Sequence, residues 1–312
     1  MDPWARLPAA LGRGAAGLLL VTLAACGDSA KNTTPAATPA EHTHQDEQTV
    51  NTSATEAIPT VVITAHEFAF EAPDSIPAGL TRLHLNNTGH EDHHALLMRL
   101  NNGVSLDQFL ANLQKDDIGE ALSLITLVGG PGAVVGGASS DVVENLQPGS
   151  YVILCVLAGE DQVPHFVKGM VKPLDVTGTA PAEVTYPPSV ATITLRDFAF
   201  EAPATLPAGT TTVQVTNAGP QPHEAMVVRL EGVTLDQLKA MIAASEGGPD
   251  PSQSGPPPFT SVGGIGPLEQ GATGQMTLDL TPGDYALVCF VPDPGTGHAH
   301  AELGMVGGFT VQ

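Results

Sequence analysis

The feature that most constrains the fold is an internal duplication. The segment EFAFEAPDSIPAG, which begins at Glu67, returns as DFAFEAPATLPAG from Asp197, and PGSYVILC, which ends at Cys155, returns as PGDYALVC, which ends at Cys289. A repeat spacing of about 130 residues is too long for a solenoid and matches the length of a whole domain. The 312-residue chain is therefore predicted to hold two copies of one domain, over residues 58–176 and 190–312, joined by a Pro-rich linker over residues 177–189.

Short β-branched runs bounded by Gly, Pro, Asn and Asp recur in both copies, and helical periodicity is scarce. This pattern predicts an all-β protein with a Greek-key, antiparallel β-sandwich in each copy. Each copy should also carry a short helical insertion, because Ser105 with Gln108, and Thr234 with Gln237, have the spacing of a capping box. The Gly-rich stretch GGPGAVVGGASS, which begins at Gly129, is expected to be a surface loop.

The first 25 residues predict a signal peptide, because Arg6 and Arg13 precede an apolar run that is too short to span a bilayer. The run ends in LAAC at Cys26, which resembles the bacterial lipobox, where the Cys becomes a lipid-modified N-terminus. The resemblance implies an exported protein anchored to the outer face of a bacterial membrane, in the periplasm or at the cell surface. An ordinary secreted protein with a free Cys26 is the alternative. Residues 26–57 are poor in large apolar side chains and are expected to form a disordered tether.

The chain is strongly acidic, with a formal net charge of −22 and only 11 Lys and Arg residues. Binding of nucleic acid requires a basic stripe, which this sequence does not have. An acidic protein outside the cell attracts basic protein partners by electrostatic steering. The alternative is that the acidity is simply that of a solvated surface.

Residues with special chemistry occur in the same order in both copies. They are His93, Cys155, His165 and Met170 in the first copy and His223, Cys289, His300 and Met305 in the second. An imidazole, a thiol, a second imidazole and a thioether form a ligand set that suits copper. A disulfide between Cys155 and Cys289 is not expected, because equivalent interior positions of separate domains seldom come within the required distance of about 7 Å.

Each residue type also has a purely structural interpretation. Met packs readily in any core, and a free Cys is among the residues most often buried. His90 and His94 compete with His93 as ligands, and His298 competes with His300, which only its spacing before Met305 distinguishes.

The second copy resembles a known family along most of its length. PGDYALVC, followed by HAELGMVGGFTV from His300, resembles the C-terminal signature of plastocyanin and its cupredoxin relatives, and NAGPQPHEAMVV from Asn217 resembles the segment that delivers the first copper-binding histidine. The resemblance covers essentially all of residues 61–176 and 190–312. It implies two cupredoxin-like domains, each with one type 1 (blue) copper centre. The implied ligands are His93, Cys155, His165 and Met170, and His223, Cys289, His300 and Met305.

The resemblance further implies an electron carrier and not an enzyme, exchanging single electrons with a redox partner protein through the histidine that follows each Cys. His165, beside Phe166, and His300 are expected to lie in small apolar surface patches. Two alternatives are a protein that buffers or delivers copper and a metal-free scaffold with a cupredoxin fold. No hydrolase motif is evident. Leu and Val flank Cys155, and Val and Phe flank Cys289. The adjacent His-Cys-His pattern of a multicopper oxidase is therefore missing.

Overall fold

The computed structural model describes residues 57–115, 118–159, 161–181, 183–244 and 258–312. The predicted signal peptide, Cys26 and the tether up to residue 56 lie outside the described residues. Ile58–Gln312 forms one compact unit. No helix in the described ranges is long and apolar enough to cross a membrane.

The first repeat begins at Thr60 and contributes strands and two helices. They are β1 (Thr60–His66), β2 (Ala69–Glu71), β3 (Ser75–Pro77), β4 (Gly79–Asn87), β5 (Leu96–Leu100), α1 (Leu106–Leu113), α2 (Ile118–Leu122), β6 (Ile125–Gly129), β7 (Ser139–Leu146), β8 (Gly149–Leu154) and β9 (Val171–Thr177). Burial alternates residue by residue along β4, which is the period of a strand with one face on a core.

The second repeat has nearly the same element order. Its elements are β10 (Ala191–Arg196), β11 (Ala199–Glu201), β12 (Thr205–Leu206), β13 (Gly209–Asn217), β14 (His223–Leu230), α3 (Leu235–Ala244), β15 (Phe259–Leu268), β16 (Thr273–Leu280), β17 (Gly283–Val288) and β18 (Val306–Val311). The predicted helical insertions are present. The Ser105 side chain accepts a hydrogen bond from the Gln108 N–H at 3.1 Å, and the Thr234 hydroxyl accepts one from the Gln237 N–H at 3.2 Å, as capping requires.

The strands form two sheets, and each sheet contains strands of both repeats. One has the order β11-β10-β13-β16-β7-β4-β1-β2, and the other has the order β12-β18-β17-β14-β15-β6-β5-β8-β9-β3. The prediction of an all-β sandwich fold is confirmed. The sheets were expected to be antiparallel, but they are mixed. Four strand pairs are parallel: β1 with β4, β10 with β13, β3 with β9, and β12 with β18.

The repeats meet strand to strand about a pseudo-twofold axis. In the first sheet β7 pairs with β16, and Val142 lies opposite Met276, its equivalent in the other repeat. In the second sheet Pro131 lies opposite Ile265 in the same relation. The Gly-rich stretch after β6 is therefore an interface and not the expected surface loop. Glycine is required there, because a Cβ on Gly132 would lie 2.9 Å from backbone atoms of Gly263.

A tyrosine stabilises the turn before each Cys-bearing strand. The Tyr151 hydroxyl donates a hydrogen bond to the Gln147 carbonyl at 2.7 Å, and the Tyr285 hydroxyl donates one to the Thr281 carbonyl at 2.9 Å. Both rings are buried. This arrangement resembles the tyrosine corner of β-sandwich proteins, and each Cys directly follows the last residue of the strand after that turn.

Candidate metal centres

In the first repeat, backbone hydrogen bonds hold His165 next to Cys155. The His165 N–H donates to the Leu157 carbonyl at 2.8 Å, and the Phe166 N–H donates to the Cys155 carbonyl at 2.9 Å. Met170 is tied to the same turn, because its N–H donates to the His165 carbonyl at 3.0 Å and its carbonyl accepts from the Cys155 N–H at 3.3 Å. These bonds therefore hold Cys155, His165 and Met170 together in one turn.

The second repeat builds the same turn. The His300 N–H donates to the Val291 carbonyl at 2.9 Å and the Ala301 N–H donates to the Cys289 carbonyl at 2.8 Å. The Met305 N–H donates to the His300 carbonyl at 2.8 Å. Both copies share these bonds although the second copy has one more residue between Cys and His, so the turn itself is a feature of the fold.

The donor atoms of each repeat form a small triangle. In the first, His93 Nδ1 lies 3.1 Å from His165 Nδ1, and Cys155 Sγ lies 3.4 Å from His165 Nδ1 and 4.0 Å from His93 Nδ1. In the second repeat the corresponding distances are 2.9, 3.5 and 4.0 Å, between His223, Cys289 and His300. All six residues are buried.

Both triangles are the right size for a metal ion. The point equidistant from the three donor atoms lies about 2.1 Å from each in both repeats, and bonds from a divalent metal to imidazole nitrogen and thiolate sulfur are about 2.0–2.3 Å. Two imidazoles and one thiolate in a plane form the trigonal set that copper accepts. The residues therefore fit copper in number, chemistry and spacing.

Burial sets the protonation of these groups. It raises the pKa of the Cys155 thiol to about 12 and raises that of Cys289 further. Burial, together with a smaller effect of the neighbouring imidazole, lowers the pKa of His93 and of His300 to about 4. His93 and His300 are thus neutral, as metal binding requires, and the buried thiols need a cation to ionise.

The two methionines lie beside these triangles. Met170 and Met305 are fully buried and belong to the same core cluster as Cys155 and Cys289. Their backbone bonds to Cys and His fix their place in the turn. Their role as axial ligands stays a prediction, as does the full assignment of ligands.

The chain has no match among protein-family models and none among curated proteins. Among solved structures it is similar to dithionite-reduced auracyanin from Roseiflexus castenholzii, with 24% identity over 39% of this chain and 95% of that one and a TM-score of 0.27. Auracyanin A from Chloroflexus aurantiacus has 16% identity over 39% and 99% of the two chains, with a TM-score of 0.24. A copper-containing nitrite reductase from Thermus scotoductus has 14% identity over 81% and 61%, with a TM-score of 0.22.

Both repeats have strands in the two packed sheets, and each has a buried His–Cys–His group just after the strand that leads to its Cys. The fold is cupredoxin-like.

The competing histidines have other partners. His94 Nε2 accepts a hydrogen bond from the Val156 N–H at 2.9 Å, and burial lowers its pKa to about 3. Glu224 takes this place in the second repeat and accepts from the Phe290 N–H at 2.8 Å. His298 is exposed and lies 3.0 Å from Glu302. Of the histidines considered from the sequence, His93 and His300 contribute donor atoms to the triangles.

Three side chains that contact the candidate ligands were not predicted from the sequence. His165 Nε2 lies 2.8 Å from Glu91 Oε2, and His300 Nε2 lies 2.8 Å from Gln221 Oε1. His223 Nε2 lies 2.8 Å from Asp197 Oδ1. The available signal was the duplication itself, since Glu91 and Gln221 precede the first histidine of each copy by the same distance and Asp197 opens a duplicated motif.

The surroundings of the second histidine differ from what was expected. His165 and His300 are buried, and Phe166 is only 7% exposed and packs in a core cluster. Phe166 is therefore not part of a surface patch, because the turn that holds His165 directs it inward. The exposed apolar residues near the second centre are Phe290 and Leu303, at 50% and 38%.

Proposed function

We propose that this protein is an exported carrier of single electrons, with a type 1 copper centre in each of two cupredoxin-like domains over residues 58–176 and 190–312, joined by residues 177–189. The observation that carries the proposal is the buried His–Cys–His triangle, which occurs twice with nearly equal dimensions. We further propose that the protein acts as a carrier and not as an enzyme.

Copper bound in such a site supplies a one-electron change of oxidation state. The chain supplies a donor set that has little freedom to rearrange. The Cys and His donors are buried, and backbone hydrogen bonds join Cys155, His165 and Met170 into one turn. A site that holds the same geometry in both oxidation states favours rapid electron exchange, and this supports a carrier over a protein that must release its metal.

The proposed contact with a redox partner lies at the second centre. Phe290 follows Cys289 directly, and its ring is half exposed. Leu303 adds a second exposed apolar side chain in the loop that carries His300. An apolar contact on a chain with a net charge of −22 suits a basic partner protein, because charge steers the encounter and the apolar contact allows close approach.

The proposed location rests on the sequence of the N-terminal segment. Removal of a signal peptide over residues 1–25 would leave Cys26 as a lipid-modified N-terminus, with the folded unit, Ile58–Gln312, on a tether at the outer face of a membrane. Cys26→Ser should release the protein from membranes, as cell fractionation would measure.

The function is tested by the visible spectrum of the full chain after addition of Cu(II). We expect an intense band from charge transfer between thiolate and copper, which bleaches on reduction and returns on reoxidation. Cys155→Ser and Cys289→Ser should each remove one of two bound copper ions and part of the band. His300→Ala should abolish the second centre, whereas His298→Ala, its matched control in the same loop, should leave the spectrum unchanged. A colourless complex, or a copper ion that leaves on reduction, would contradict electron carrying and favour copper buffering.

A further inference from the structure

The second centre holds both of its imidazoles in one tautomer. The Gln221 amide nitrogen donates to Asp293 Oδ2 at 3.0 Å, so the amide oxygen faces His300 Nε2 at 2.8 Å. The Asp197 carboxylate faces His223 Nε2 at 2.8 Å. Since both oxygens only accept hydrogen bonds, each imidazole must carry its proton on Nε2. Both Nδ1 lone pairs then point toward Cys289, as metal binding requires.

The first centre fixes only one of its imidazoles. The Glu91 carboxylate holds His165 by its Nε2, as Gln221 holds His300. Among the residues that the structure describes, the buried Nε2 of His93 has no hydrogen-bond partner. Glu67 occupies the position of Asp197, but its longer side chain accepts hydrogen bonds from the backbone N–H groups of His90 and Glu91.

The unfixed imidazole has an alternative state without metal. With its proton on Nδ1, His93 donates a hydrogen bond to the Nδ1 lone pair of His165, 3.1 Å away. That state pairs the two Nδ1 atoms with each other and blocks the metal position, so metal binding must first move the proton. His223 has no such state, because its proton is held on Nε2 by Asp197.

We propose that the two centres differ in copper affinity, that the second centre fills first, and that Asp197 is the positioning residue responsible. Outer partners that orient a ligating histidine are worth about 10- to 100-fold in metal affinity, and that is the difference expected between the centres. The inference rests on the copper sites of the proposed function but not on electron carrying.

The test is a competition titration of the full chain with copper and a chromophoric chelator. Cys26→Ala removes the extra thiol, and either Cys155→Ser or Cys289→Ser leaves a single intact centre. The protein that keeps the second centre should bind copper about 10- to 100-fold more tightly than the protein that keeps the first. Equal affinities, or a tighter first centre, would overturn the proposal.

Variants of the carboxylates identify the cause. Asp197→Ala should lower the affinity of the second centre by about 10- to 100-fold, while Asp197→Asn should retain most of it, because its amide oxygen can still accept from His223. Asp279→Ala, which removes an exposed carboxylate elsewhere, is the charge-matched control. If Asp197→Asn is as weak as Asp197→Ala, charge and not the tautomer is responsible, and the proposed mechanism is wrong.

A gain of affinity gives an independent test should Asp197→Ala fail to fold. Glu67→Asp shortens the side chain to that of its counterpart and should tighten copper binding at the first centre. No gain would contradict the role assigned to this position. Failure of both centres to bind copper would instead overturn the proposed function together with this inference.

Discussion

The buried carboxyl group of Glu144 makes the stability of the protein depend on pH. Glu144 lies on β7 and is 2% exposed. One of its oxygens accepts a hydrogen bond from the Gly130 N–H at 2.7 Å, and the other has no hydrogen-bond partner in the described part of the chain. Leu278 occupies the equivalent position in the second repeat. Burial raises the pKa of Glu144 from 4.5 to about 8, against a smaller opposing effect of the Gly130 hydrogen bond.

The sign follows from the protons bound in each state. Between pH 4.5 and about 8, the unfolded chain has lost this proton and the folded chain retains it, so the free energy of unfolding falls as pH rises. The free energy of unfolding falls by about 1.4 kcal/mol for each pH unit within that window, and by about 5 kcal/mol across the whole window. Glu144→Gln cannot ionise and keeps an acceptor for Gly130. The variant should therefore gain stability over the native chain across this range and keep that gain above it.

The measurement is denaturant unfolding of the metal-free full chain, followed by circular dichroism at several pH values within this window. Arg99, Tyr151 and Glu269 line the same cavity of about 150 Å³ beside Glu144, so their contribution must be separated from that of Glu144. Glu269→Gln is the control for that cavity, and Asp279→Asn is the control for the loss of one exposed carboxylate. Parallel profiles for Glu144→Gln and the native chain would refute the reasoning.

Two further substitutions test local packing. Gly219→Ala would place a Cβ 2.7 Å from Asp197 Oδ1 and 2.9 Å from His223 Nε2. It should therefore reduce the copper bound at the second centre alone. Metal analysis of Gly219→Ala combined with Cys155→Ser would measure this, and an unchanged copper content would contradict this packing. Tyr285→Phe removes the hydrogen bond to the Thr281 carbonyl and should lower the free energy of unfolding by about 1 kcal/mol. Denaturant titration would measure this, and an unchanged free energy would show that the bond contributes nothing to stability.

The elements that local chemistry determines could be predicted from the sequence. The strands follow from β-branched runs between turn residues, and both capping boxes lie where Ser105 and Thr234 indicate. The duplication identified the donors of both triangles, because two copies of the same residue types in the same order are hard to explain by core packing alone. These signals are contained in short segments or in the comparison between repeats.

The remaining features depend on contacts between distant segments. The exposure of Phe166 depends on the turn that joins His165 to Cys155, and its local sequence is compatible with either side of the sheet. Where the repeats pair, the Gly132 N–H donates a hydrogen bond to the Gly264 carbonyl at 3.0 Å, and residues without a side chain contribute no hydrophobic pattern to the sequence. Asp197 reaches His223 across the sandwich, and only the three-dimensional structure shows that Glu67 does not do the same.

The strand pairing between repeats makes the two halves depend on each other. The outer edges of both sheets are strands of only two or three residues, β2, β3, β11 and β12, and the longer β6, β7, β15 and β16 have their edges covered by the other repeat. A repeat expressed alone would expose two long strand edges, which are templates for aggregation or self-pairing. Loss of structure in one half would uncover the same edges in the other, so unfolding should be a single cooperative event in which both metal centres are lost together.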